Sequence, residues 1–123
     1  FFEVPKNTDL VFVRRLRYAG DQPLSILCNW LLPHAVRFDE AQLVERGLYA
    51  LLREVGVRPV VAKQRIGARR PTPAERSMLQ TAKGEPLLTM TRRAFDEAGQ
   101  PVEYGDHVYR ADQYAIDITV HEN

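Results

Sequence analysis

The sequence predicts an α+β domain, a mainly antiparallel six-stranded sheet accompanied by three short helices. Several apolar stretches alternate with a period of two, which is typical of strands. Residues 96–100 (DEAGQ) form a strong hairpin signal between two of them. Other segments have apolar residues at helical spacing, with capping residues beside them.

The first two strands are predicted at 10–18 and 24–32, around a turn at 20–22. Pro33 ends the second strand, since proline cannot donate to the ladder. Side chains alternate along a strand, so we expect the even-numbered residues from Leu24 to Leu32 to form core.

Four further strands are predicted, at 58–70, 86–95, 101–110 and 113–120. The last alternates apolar and polar residues along its whole length.

Three helices are predicted, at 40–46, at 48–55, and from Pro73 to about Thr81 with an end at Lys83-Gly84. Asp39 is a suitable N-cap for the first helix, and Gly56 is a suitable stop for the second. Thr72 followed by Pro73 combines an N-cap with proline in the first turn.

The composition limits the function classes. The 123 residues suit one domain spanning 1–123, and the net charge of +1 argues against direct binding of nucleic acid. No apolar run approaches the ~20 residues of a membrane span. The single cysteine excludes an internal disulfide and fits the cytoplasm. Because the chain starts without Met, we expect it to be a fragment of a longer protein.

Arg15 and Arg17 share one face of the first strand with Val11 and Val13. Two guanidinium groups side by side repel each other and suit a carboxylate or phosphate between them. The alternative is that both are solvated or paired with carboxylates of the sheet.

In the fifth strand Glu103, Gly105, His107 and Tyr109 share a face. A glycine inside a strand is tolerated more easily where a ligand approaches closely. This face could therefore receive a ligand, or it could simply be exposed.

Catalytic and metal-binding patterns are absent from the sequence. The three histidines have no metal-ligand spacing, and no cofactor motif is present. Cys28 alternates with apolar residues, which favours a small core side chain over a nucleophile. We therefore expect no metal, no cofactor and no enzymatic activity.

The chain resembles the UTRA domain family. Arg15-Leu16-Arg17 followed by Pro23 and Pro33, the stretch at 48–52 (LYALL), and residues 84–114 (GEPLLTMTRRAFDEAGQPVEYGDHVYRADQY) carry this resemblance. Together these motifs cover nearly the whole chain.

The resemblance implies a fold similar to chorismate lyase and a homodimer. It also implies the effector-binding half of a bacterial GntR-type repressor of the HutC subfamily, with an N-terminal winged helix-turn-helix outside this fragment. The expected effector is a small anionic metabolite that modulates DNA binding.

The resemblance further implies the site residues. Arg15 and Arg17 would hold the anion, Tyr49 and Glu103 would contact the ligand, and Tyr109 would close the pocket. We expect His107, Leu27 and Gly47 on the pocket wall.

Two positions depart from the family pattern. Leu27 stands where members often have a glutamate, and Gly47 replaces a hydroxyl residue. We therefore expect an acid smaller or more apolar than an amino-sugar phosphate, with Leu27 against its apolar part.

Two alternatives to ligand sensing stay open. One is a chorismate-lyase-like enzyme that acts on a small aromatic acid, since that fold is shared. The other is a dimerisation domain that has lost its ligand.

Overall fold

The computed structural model describes Phe2, residues 9–82 and residues 84–120. It contains an antiparallel five-stranded sheet in the order β1-β2-β5-β4-β3, with helices on both faces. The strands are β1 (Val11–Ala19), β2 (Gln22–Leu31), β3 (Val61–Arg69), β4 (Leu87–Phe95) and β5 (Pro101–Arg110). The helices are α1 (Glu40–Arg46), α2 (Leu48–Glu54) and α3 (Pro73–Leu79), with a 3-10 turn at Pro33–Ala35. The predicted α+β class is confirmed.

The sixth strand predicted at 113–120 is wrong, because residues 114–120 follow a turn and form no ladder. β5 already pairs with β2 on one side and β4 on the other, so a segment directly after β5 finds no free strand edge beside it. Two side chains of this segment pack on the sheet instead: Tyr114 stacks on Tyr109, and Ile116 packs against the apolar cluster that contains Tyr109. Ile118 remains 72% exposed.

The β4–β5 hairpin is confirmed. The strands pair from Leu87 with Arg110 to Phe95 with Pro101. In the turn, one carboxylate oxygen of Asp96 accepts hydrogen bonds from the backbone N–H of Ala98 and Gln100, both at 2.9 Å. This side chain thereby stabilises the turn between the two strands.

Capping boxes begin two of the helices. Asp39 and Gln42 bond reciprocally at the start of α1, and Thr72 and Glu75 do so at the start of α3. α3 ends at Leu79, earlier than predicted, and Gln80 takes the left-handed conformation with φ 54°. Of the predicted stop, Lys83 lies outside the described residues.

The predicted core face of β2 is confirmed only in part: Ile26 is 5% exposed and belongs to a core cluster, but Leu24, Cys28 and Trp30 are only half-buried. The odd-numbered side chains of β2 are the more buried ones, including Ser25 at 0%, Asn29 at 2% and Leu31 at 0% exposure. Leu31 packs into a cluster with apolar residues of α1 and α2, so two helices cover this face. The opposite face receives α3, whose Leu79 packs on Ile26, Leu87 and Val108. The face under α1 and α2 is called the helix-covered face below.

Within the described ranges no helix combines the length and the apolar character needed to cross a bilayer.

Replacing Leu52 by Ala should destabilise the domain by about 2–5 kcal/mol, because this α2 side chain has 0% exposure and truncation leaves a cavity. Val44→Ala on α1 is the control: its side chain is 88% exposed, and the cost should stay within about 0.5 kcal/mol. Urea unfolding measures both. Equal losses would contradict the packing of α2 described here.

Candidate functional site

An open cavity of about 630 Å³ lies on the helix-covered face of the sheet, beside α2. Seven of the eight residues predicted from the sequence line it: Arg15, Arg17, Leu27, Gly47, Tyr49, His107 and Tyr109. Asn29, Arg92 and Tyr114 also line it and were not predicted. Glu103 is the exception, since it has 0% exposure and does not form part of the wall.

The register of the sheet explains why the strand residues meet. Arg15 pairs with Leu27, and Leu27 pairs with His107. Likewise Arg17 pairs with Ser25, which pairs with Tyr109. Directly paired residues project from the same face of an antiparallel sheet. The cavity floor is therefore built from consecutive cross-strand rows.

Helix α2 brings Tyr49 to this floor. Buried Leu48, Leu51 and Leu52 pack the helix against the sheet. Gly47 links α1 to α2 with φ 81°, a backbone conformation that glycine adopts without steric cost. Gly47 thus serves the bend between the helices and lies on the cavity wall.

Glu103 organises the polar centre of the site. Its Oε1 accepts a 2.6 Å hydrogen bond from the Tyr49 hydroxyl, and its Oε2 accepts a 3.3 Å bond from the Asn29 amide. Burial raises the pKa of Glu103, while these hydrogen bonds and the charges of Arg92 and Arg15 act against that rise. Both carboxylate oxygens are engaged within the protein.

Arg15 and Arg17 differ in their environment. Arg15 is half-buried and donates a 3.3 Å hydrogen bond to Asn29, while its buried Nε has no partner among the described residues. Burial, followed by the charge of Arg17, lowers the pKa of Arg15. Arg17 is exposed at the rim of the cavity. Neither forms an ion pair with any carboxylate in the part of the chain that the structure describes.

Arg92 is a third cation at the site, and the motif comparison missed it. It donates a 3.3 Å hydrogen bond to the Tyr49 hydroxyl and lies 5.6 Å from the centre of that ring. Arg92 pairs with Gly105, so it projects from the same face as Glu103 and His107. Counting residues outward from the turn at 96–100 would have placed it on the wrong face, because the register shifts by one residue between Ala94 and Phe95.

Burial and the neighbouring Glu103 raise the pKa of Tyr49 to about 12, so its hydroxyl keeps its proton. That proton is donated to Glu103, and the oxygen accepts from Arg92. Tyr49 therefore bridges the buried carboxylate and the third cation.

His107 is 5% exposed, and its pKa is lowered to about 4. Burial is the main cause, and the positive charges of Arg92 and Arg15 add to it. The imidazole is consequently neutral near pH 7. Its Nδ1 lies 3.4 Å from the Tyr109 hydroxyl, and its Nε2 is buried without a partner among the described residues.

Gly105 is required by the packing around it. A Cβ at this position would lie 2.9 Å from Nε2 of His107 and 3.0 Å from Oε2 of Glu103. The glycine thus leaves room for both polar side chains on one strand face. Glu103, His107 and Tyr109 have exposures of 0%, 5% and 6%, so the alternative of a simply exposed face is wrong.

The arrangement suits anion binding. Three guanidinium groups approach one cavity, while Glu103, the one acid linked to them by hydrogen bonds among the described residues, is buried and hydrogen-bonded on both oxygens. Guanidinium groups bind carboxylates and phosphates through paired N–H donors. Within the described ranges no three His, Cys, Asp or Glu residues cluster as metal ligands.

The UTRA domain family model matches residues 1–115. Among curated proteins, the chain is 26% identical over 113 residues to the HTH-type transcriptional regulator GgaR of Escherichia coli. The match covers 92% of this chain and 45% of that regulator, so the chain spans about half the length of its relative.

Two solved structures extend the comparison. A transcriptional regulator from Streptomyces coelicolor is 42% identical with a TM-score of 0.82, over 86% of this chain and 71% of that one. The ligand-binding domain of a GntR-family regulator from Bordetella bronchiseptica is 25% identical with a TM-score of 0.86, over 98% and 76%. These similar proteins are regulators rather than enzymes.

Acid should destabilise the fold through His107. The unfolded chain binds a proton at this histidine below its ordinary pKa of 6.5, whereas the folded chain binds it only near pH 4. Stability contributed by neutral His107 is therefore present above about pH 6.5 and is lost as the pH falls towards 4. The full loss is about 3 kcal/mol at most.

Urea unfolding of the chain and of His107→Gln, compared at neutral pH and near pH 4.5, isolates this contribution. The raised pKa of Glu103 has the opposite slope, adding stability as the pH falls, but it is common to both proteins. The stability of the unmodified chain should decline relative to the variant. A difference independent of pH would show that His107 is not held neutral by its surroundings.

Proposed function

The chain belongs to the UTRA domain family, and on this premise we propose that it senses a small anionic metabolite for a bacterial GntR-type regulator of the HutC subfamily. Arg15 and Arg17 hold the anion, Tyr49 and Tyr109 contact the ligand, and Leu27 faces its apolar part. Occupancy of the cavity modulates DNA binding by an N-terminal winged helix-turn-helix of the parent repressor, in the bacterial cytoplasm.

The surplus of positive charge in the cavity is the observation that supports an anionic ligand. Arg15, Arg17 and Arg92 approach it, and no carboxylate of the described residues lies in ion-pair range of any of them. Partly buried cations gain more from an anionic partner than exposed ones, because water screens them less. An anion in the cavity would relieve their mutual repulsion.

The low net charge of this chain and the greater length of its relative both support a separate DNA-binding domain in the parent protein. The net charge is +1, whereas DNA affinity comes largely from concentrated phosphate neutralisation. The chain spans less than half of a regulator whose name includes the helix-turn-helix.

The lyase alternative has less support. The matched proteins named above are regulators or their ligand-binding domains. Moreover, Glu103, which an acid–base mechanism would use, is buried beneath the cavity and hydrogen-bonded on both oxygens.

We also propose a homodimer. Repressors that read two related half-sites are commonly two-fold symmetric. In the single chain, edge strand β3 is exposed on both faces, and Val61 and Ile66 are 54% and 42% exposed. Exposed apolar edge strands are usually covered in stable assemblies.

Inorganic phosphate should raise the unfolding temperature of the chain, because a ligand that binds only the folded state stabilises it. Arg15→Gln should weaken phosphate binding by about tenfold to a hundredfold, the value of one charge-assisted hydrogen bond. Arg17→Gln should weaken it less, since that side chain is exposed. Calorimetric titration gives the affinities.

Arg14→Gln is the matched control, because Arg14 is an exposed neighbour on the other face of β1. It should leave phosphate binding unchanged. If all three variants bind phosphate equally, the anion site lies elsewhere.

Sedimentation velocity at tens of micromolar should show the mass of two chains without DNA, a concentration at which even a weak interface assembles. A single species with the mass of one chain would contradict the proposed dimer.

A further inference from the structure

We propose that the effector carries an anionic group at each end, with Arg15 and Arg17 holding one end and Arg92 the other. This inference rests on the proposed sensing function and deepens it by naming the ligand class: short dicarboxylates or phosphorylated carboxylic acids.

The two cationic groups stand on opposite sides of the cavity. Arg15 and Arg17 project from β1, whereas Arg92 projects from β4, and strands β2 and β5 lie between them. At about 4.8 Å per strand, their backbones are about 14 Å apart. The two cationic groups therefore start from opposite sides of the cavity and reach it from different directions.

The arginine side chains from both sides of the cavity extend towards the two central strands. The Arg15 guanidinium donates to Asn29 on β2, at 3.3 Å. The Arg92 guanidinium reaches the Tyr49 hydroxyl at 3.3 Å, and that hydroxyl lies 2.6 Å from Glu103 on β5. The guanidinium groups therefore approach the two central strands from opposite sides of the sheet. A ligand with an anionic group at each end could meet both of them.

Arg92 is oriented without being neutralised. With its amide oxygen turned towards Arg92, Gln64 accepts from Nε at 2.9 Å and from Nη2 at 2.7 Å. Tyr49 adds a second uncharged partner. These neutral partners fix the guanidinium and leave its charge unpaired by any carboxylate of the described residues.

Glu103 cannot neutralise the arginines on both sides of the cavity. It is the acidic group that contributes to the electrostatics of Arg15, and Arg15 and Arg92 both act on it. Its two oxygens are already used by Tyr49 and Asn29. Even if Glu103 is fully ionised, two of the three arginine charges remain to be balanced by a ligand.

The centre of the floor suits an uncharged spacer. Leu27, 5% exposed, presents an apolar side chain between the two cationic sides. Beside it the neutral imidazole of His107 lies in the cavity wall and adds no charge. Gly105 adds no side chain above the floor.

The test is isothermal titration of the chain with two matched pairs of probes. Succinate and butyrate differ in one terminal carboxylate, and 3-phosphoglycerate and glycerol 3-phosphate differ likewise. The two-ended member of a pair should bind about tenfold or more tightly, the value of one charge-assisted contact. The one-ended probe that binds more tightly, butyrate or glycerol 3-phosphate, identifies a carboxylate or a phosphate as the anion preferred at the Arg15 end, provided that Arg15→Gln weakens its binding.

Arg92→Met should abolish this advantage while leaving the one-ended probes unchanged. Arg92→Lys should retain part of it, because the charge persists without the planar fork. Arg93→Met is the control: Arg93 is the exposed neighbour on the opposite face of β4, so its removal should preserve the advantage. Thermal unfolding of each variant confirms that it folds.

Equal binding within both pairs, or an equal loss for both members in Arg92→Met, overturns the two-ended ligand. In either case continued dependence on Arg15 leaves the proposed function standing. If none of the four probes binds and phosphate gives no stabilisation, both proposals fail together.

Discussion

The site depends on one buried carboxylate. Glu103 has 0% exposure, and a charge so placed is costly unless it is hydrogen-bonded and faces opposite charge. Tyr49 from α2 and Asn29 from β2 supply the hydrogen bonds, and Arg15 and Arg92 supply the charge. One group thus ties a helix and the central strands together. Replacing it with an apolar residue would leave Tyr49 and Asn29 without their hydrogen-bond acceptor.

The electrostatics of the cavity follow from this arrangement. Because Glu103 is engaged below the floor, it tempers the positive potential of the arginines without cancelling it. The same potential, added to burial, keeps His107 neutral. The cavity therefore combines cationic walls with an uncharged floor, which favours a ligand whose charge lies at its ends rather than at its centre.

The sequence could predict what depends on local pattern. Period-two spacing put Arg15 and Arg17 on one face, and the turn at 96–100 placed the β4–β5 hairpin correctly. It could not show which edges of β5 were occupied, so residues 113–120 were assigned to a strand without a neighbour. Nor could it show that α1 and α2 cover the odd-numbered face of β2, so Asn29 was not predicted at the site. Arg92 was missed because its place depends on the register with β5, which shifts between Ala94 and Phe95.

Helix α2 has two kinds of contact with the sheet, and only one can respond to a ligand. Leu48, Leu51 and Leu52 pack by apolar burial, which is indifferent to charge in the cavity. Tyr49, by contrast, accepts a hydrogen bond from Arg92, and an anion bound at Arg92 would compete for that donor. A hydrogen bond to a charged group contributes about 1.5–3 kcal/mol, and allosteric coupling typically needs about 1–3 kcal/mol. Competition for Arg92 at this single hydroxyl would therefore change the docking free energy of α2 by an amount comparable to a typical allosteric coupling.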